Sequence, residues 1–205
     1  MRRRSSSADL RPPRSRQYTP YRKAATPGRT TRPCSKRIWR QIVRAKIRAQ
    51  ADLLGPDHEK YRKLLNLENE VRSGDPSNVE AQAARRYWPL LLGPDFRRDR
   101  GLPGVNALLN YGYTVLRAGT SRAVVAAGLH PSLGVHHRTR TDPFCLASDL
   151  MEPFRPLVDL AASRLADAGV DDVTPEAKTV LAAVLSADLQ TSRGTTPSKS
   201  ARFFA

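Results

Sequence analysis

From residue 35 onward the apolar residues recur at helical spacing, and Gly or Pro breaks the pattern at short intervals. Ile38, Trp39, Ile42, Val43, Ile47 and Leu53-Leu54 fall near a 3.6-residue period, one face of an amphipathic helix. Ser35 is its candidate cap, and Gly55-Pro56 stops it. Lys36, Arg37, Arg40, Arg44, Lys46 and Arg48 line its polar side, which reads first as a solvated face and second as one that meets a polyanion. A second helix is expected over 56–72, with Leu64, Leu65, Leu67 and Val71 apolar and Gly74-Asp75-Pro76 behind it. Asn78 then caps a third, VEAQAARRYW. Glu80 falls in its first turn, where the helix dipole favours an acid, and Tyr87 and Trp88 read as core. A basic loop over 96–100 leads to a long helix over 104–127, with Gly112 and Gly119 at close crossings and Gly128 beyond its end. Leu157, Val158, Leu160 and Leu165 continue a helix to about Asp167, closed by Gly169, and Thr174-Pro175-Glu176 opens the last one. The expected fold class is all-α: a helical domain over 35–188 and a frayed tail over 189–205.

Residues 1–34 differ in kind. They are rich in Arg, Ser, Thr and Pro, hold one acid, Asp9, and show no period. Too little apolar surface is available there to offset chain entropy, so a disordered basic tail is expected. It binds DNA phosphates without sequence preference, or is the transit peptide its composition resembles, or marks a misassigned start. The net charge is +16, of which residues 1–37 carry twelve Lys and Arg against one Asp, +11, leaving +5 for the body. Such a balance points to nucleic acid as partner. No apolar run is long enough to cross a membrane as a helix. Cys34 and Cys145 make neither a disulfide framework nor a zinc pattern, which suits reduced thiols in a cytoplasm.

The chemistry concentrates in 129–159, LHPSLGVHHRTRTDPFCLASDLMEPFRPLVD. It holds His130, His136 and His137, three of four histidines, and the acids Asp142, Asp149 and Glu152. Asp149 followed three residues later by Glu152 reads as a capping box opening a helix. Imidazoles and carboxylates next to Arg138, Arg140 and Arg155 are also what a metal site acting on a phosphate needs.

GLHPSLGVHH followed by FCLASDLMEPFRPLVD resembles the signature of the CRISPR adaptation integrase, the first-numbered Cas protein, in its type II form. GDPSNVEAQAARRYWPLLLG with RRDR and NALLNYGYTVLRA, and KRIWRQIVRAKIRAQADLL, agree with it in order and spacing. The resemblance implies a helical catalytic domain of a DNA endonuclease/integrase that joins 3′-hydroxyls of DNA fragments to repeat phosphodiesters. It implies Glu80, His137 and Glu152 as catalytic metal ligands, with Asp149 an alternative ligand, His136 beside them, and Mg²⁺ or Mn²⁺ as the ion. Arg85, Arg86, Arg138, Arg140 and Arg155 are the candidate DNA contacts. The implied partners are DNA, the second-numbered Cas protein and a second copy of the chain. The family forms its dimer through an N-terminal β domain, and no strand pattern precedes Ser35, so the resemblance covers only the helical domain and leaves dimerisation in doubt. The competing expectation is a truncated, inactive remnant that binds DNA non-specifically.

Overall fold

The computed structural model describes residues 31–139, 141–189 and 198–199; residues 1–30 of the tail expected over 1–34, most of the tail expected over 189–205 and the candidate Arg140 lie outside them. The body is helical. It comprises α1 (Arg32–Leu54), α2 (Tyr61–Glu70), α3 (Val79–Leu92), α4 (Val105–Ala126), α5 (Cys145–Leu150), α6 (Arg155–Asp167) and α7 (Pro175–Ala182). A 3₁₀ turn, Glu152–Phe154, joins α5 to α6, and another, Ala183–Ser186, follows α7. The one departure from all-α among the described residues is a two-residue antiparallel ladder, Asp188–Leu189 with Ser198–Lys199, in a segment expected to fray.

Two apolar clusters organise these helices. The first joins α1, α2 and α3 through Trp39, Val43, Ile47, Leu64, Leu67, Val79 and Ala83. The second joins α4, α6 and α7 through Leu108, Leu109, Leu116, Val158, Ala162 and Leu181. A Cβ on Gly112 would overlap the Val158 Cγ1 methyl, so α4 and α6 approach as closely as they do because residue 112 has no side chain. Gly119 is also buried on α4.

Helix boundaries follow local chemistry, with three corrections. Helix α1 starts at Arg32 rather than at a Ser35 cap; Pro33 occupies its first turn, and Ser35 already donates its N–H to Thr31 O at 3.0 Å. Helix α2 starts at Tyr61 because residues 55–60 are spent in turns, with His58 N–H on Gly55 O and Tyr61 N–H on His58 O. The Asp149–Glu152 capping box does not form. Asp149 lies inside α5, and the Met151 N–H that follows it is already bonded to Ala147 O at 3.0 Å. Asn78 caps α3 as expected, accepting from Ala81 N–H at 3.3 Å, and Thr174 caps α7.

The basic side of α1 is not simply a solvated face. Arg40 donates to Val71 O at 2.8 Å, Arg44 and Arg48 both reach Glu68, and Lys46 turns inward. Glu68 is buried, so two guanidiniums neutralise a charge that would otherwise oppose packing of α1 on α2.

Candidate metal centre

The site is built where the two clusters meet. Ahead of α3, Asp75 accepts from the N–H groups of Val79 and Glu80 at 2.9 and 3.0 Å, and Gly74 N–H is tied to Lys36 O on α1. That double cap fixes the start of α3 against α1, and Glu80 in its first turn faces α1 as a result. Glu152 stands in the 3₁₀ turn before α6 and is 5% exposed. From α1, the Lys46 ammonium bridges them, 2.5 Å from Glu80 Oε1 and 2.7 Å from Glu152 Oε2. Two acids 72 positions apart in sequence thus share one cation. Burial opposes the charge on Lys46, but Glu152 and Glu80 outweigh it and hold the ammonium above the usual lysine range.

The histidines are held by the carboxylate of Asp149, which is fully buried. Its oxygens accept the N–H groups of Val135 at 2.6 Å, His136 at 2.8 Å and His137 at 3.3 Å. His137 Nδ1 lies 2.5 Å from Asp149 Oδ1. This hydrogen bond raises the His137 pKa above its ordinary value against the cost of burial, with help from the Asp149, Glu152 and Glu80 charges. All three acids therefore act on one imidazole. Gly134 makes the loop possible, since a Cβ there would overlap His137 O and meet Cys145 Cβ at 2.8 Å. Cys145, a free thiol, donates to Asp142 O at 3.3 Å and pins the following turn.

Of the residues singled out from sequence, Glu80 and Glu152 converge on Lys46, and His137 lies near enough to feel the charge of both. Asp149 spends its oxygens on the N–H groups of the loop and on His137, which it orients. His136 stacks on Trp39, and Asp142 serves a turn by accepting from Phe144 N–H at 2.8 Å. Arg155 pairs with Glu152 Oε1 at 2.9 Å and lies over the Tyr113 ring at 4.6 Å. With Arg98, Arg100 and Arg117 it lines a concavity of about 320 Å³. Arg85 and Arg86 are exposed and line a different concavity with Lys60 and Lys63, and Arg138 is exposed beside His136.

Sequence reasoning missed Lys46 and the pair beneath Arg155. Tyr87 and Tyr113 both donate to Asp159, at 3.0 Å from Tyr87. Burial pushes the Asp159 pKa up to about 6, against the pull of the two tyrosines, Lys46 and Arg155. The sign of Lys46 was present in the chain: it falls four residues after Ile42 and three after Val43, within the apolar stripe of α1 rather than opposite it.

Two carboxylates and an imidazole suit a hard or borderline divalent ion. Among the described residues no group of three or more His, Cys, Asp or Glu side chains stands close enough, as placed, to hold a metal ion. The donor chemistry nevertheless suits one, since Glu80 and Glu152 already share a positive charge. Asp149 also stands behind His137 as an outer carboxylate stands behind a metal-bound imidazole, leaving Nε2 available.

Comparison with known proteins places the chain in a family. The family model described as CRISPR associated protein Cas1 matches residues 8–181, a span that also takes in most of the segment ahead of Ser35. The CRISPR-associated endonuclease Cas1 of Neisseria meningitidis is 46% identical over 140 residues, 67% of this chain and 45% of that protein. A Cas1 endonuclease of Pyrobaculum aerophilum is 33% identical over 158 residues, 70% of this chain and 52% of that one. The chain thus spans about half the length of the curated relatives it matches. Among solved structures, a casposase bound to integration product superposes with a TM-score of 0.68 at 22% identity, over 85% of this chain and 62% of that one. A Cas1 protein from Thermotoga maritima superposes at 0.69 and 18%, over 84% and 63%. With 174 of its 205 residues inside one family model, the chain belongs to the Cas1 family.

Proposed function

We propose that this chain carries the catalytic centre of a divalent-metal-dependent DNA endonuclease/integrase of CRISPR spacer acquisition, with Glu80, His137 and Glu152 as ligands. The observation that carries this reading is the meeting of Glu80 and Glu152 on one cation, next to an imidazole oriented by a buried carboxylate. Bound Mg²⁺ or Mn²⁺ would supply Lewis-acid stabilisation of the phosphoryl oxygen and of the leaving 3′-oxygen. Mn²⁺ is favoured by the nitrogen donor. The rest is work for the chain. Asp149 holds the Nδ1 proton of His137, which keeps the Nε2 lone pair directed away from the loop. Lys46 keeps the two acids together and places a positive charge next to any phosphate bound there. Arg155, fixed by Glu152 and Tyr113, adds a second. A 3′-hydroxyl attacking the phosphorus gives strand joining, and water attacking it gives cutting. The proposed partners are DNA, the second-numbered Cas protein and a second copy of the chain. No described helix is long and apolar enough to cross a membrane.

The test is incubation of the purified chain with labelled single-stranded and branched DNA in Mn²⁺, Mg²⁺ or EDTA. Cutting in the presence of metal, absent in EDTA and abolished in His137→Ala, is the expected result. DNA binding with no metal-dependent cutting would support the inactive-remnant reading instead. A repeat-bearing plasmid and the second Cas protein, added to the same reaction, test strand joining.

A further inference from the structure

Trp39 is buried on α1 at 3% exposure, yet the His136 ring lies flat on it, with ring centroids 4.1 Å apart and planes 9° from parallel. One imidazole face is thereby covered, and the exposure of His136 belongs to its other face and edge. The ring does not float. Its backbone N–H donates to Asp149 Oδ2 at 2.8 Å, the carboxylate that also holds His137, and the two imidazoles meet edge to face at 5.3 Å. Beside the stack is a concavity of about 380 Å³ into which Arg32, Lys36 and Arg138 also project. None of these three cations has an acidic partner among the described residues.

A rigid aromatic face ringed by unpaired cations matches the chemistry of an unpaired nucleobase and its flanking phosphates. Base faces are closed within a duplex, so the ligand this surface suits is a single strand. We propose that His136, backed by Trp39, is a stacking platform for one unpaired base of the DNA strand entering the site, with Arg32, Lys36 and Arg138 on the adjoining phosphates. The proposal rests on the DNA reading above and gives it a substrate form: a strand whose base beside the reacting phosphate is splayed onto His136. His136 is then a positioning residue, distinct from its neighbour His137.

The experiment uses the full chain in EDTA, so that nothing is cut, and two probes. One is a short oligothymidylate with a central 2-aminopurine; the other has the same length and backbone but abasic sites throughout. Stacking predicts quenched 2-aminopurine emission on binding and about ten-fold tighter binding of the base-bearing probe. His136→Ala should remove both the quenching and the preference, His136→Phe should restore them, and Arg138→Ala should weaken both probes alike. The quenching is read in the unmodified chain, so a poorly folded variant does not blunt the test. Equal binding of the two probes without quenching refutes the platform and leaves DNA binding intact. Binding of neither probe overturns the DNA reading and the platform together.

Discussion

Replacing Lys46 by Met removes the charge and keeps the stem. In the metal-free protein Glu80 and Glu152 would then face each other without the shared ammonium. The two contacts of 2.5 and 2.7 Å place the carboxylate oxygens within 5.2 Å of each other. At an effective dielectric constant of 20, like charges about 5 Å apart repel by about 3 kcal/mol. Glu152 keeps Arg155 and the Glu80 side chain is 24% exposed, so relaxation recovers part of this. The expected loss is about 2 kcal/mol, below the 3–5 kcal/mol typical of breaking a fully buried pair. At this chain length it lowers the melting temperature by about 4–8 °C. Urea titrations in EDTA and in Mn²⁺ measure it. Manganese should raise the stability of Lys46→Met more than that of the parent, because in the parent an ammonium must first be displaced. A variant as stable as the parent in EDTA would refute the shared-cation account of this site. Equal manganese effects in the two proteins would refute the claim that Lys46 and the ion compete for the same carboxylates.

Gly134→Ala should abolish metal-dependent cutting while costing only about 1–3 kcal/mol of stability, since its Cβ displaces the His137 carbonyl and presses on Cys145; activity and urea midpoints measured together check it. Gly112→Ala should cost a similar amount through Val158 but leave cutting per folded molecule unchanged, because it lies at the α4–α6 crossing and not at the site. Asp159 gives a pH dependence. Its pKa is raised from 3.8 to about 6 on folding, so the stability it contributes is complete below about pH 4 and lost as pH rises through 6, up to about 3 kcal/mol. Melting curves of Asp159→Asn and the parent should therefore converge near pH 4 and separate above pH 6 with the variant higher; parallel curves would contradict the assignment.

Periodicity carried most of the fold because the helices are bounded by residues with one physical meaning. Gly55, Gly128 and Gly169 adopt positive φ where helices end, and Asn78 and Thr174 supply cap oxygens where they begin. Of the boundaries that failed, the one at Asp149 had the right residues for a cap. What the local pattern could not contain was the loop at 134–137, whose N–H groups compete for the same carboxylate from outside the helix. An aspartate offering two oxygens to three N–H groups and an imidazole binds more strongly there than it would at its own helix start.

The same limit explains Lys46. Its stretch, IVRAKIRAQ, is basic, and a basic helix face is most often solvated. Position within the stripe argued otherwise, but a lysine inside an apolar stripe has no meaning until its partners are known. Those partners come from α3 and from the turn before α6, 34 and 106 residues away. The site is therefore legible in sequence only as separate acids and imidazoles; what joins them is a long-range charge balance. Lys46 keeps Glu80 and Glu152 close without an ion, Arg155 anchors Glu152 from the other side, and Tyr113 and Asp159 support Arg155 from the second apolar cluster. A centre assembled this way is pre-organised by its own cations, and the ion it is proposed to take need only replace one of them.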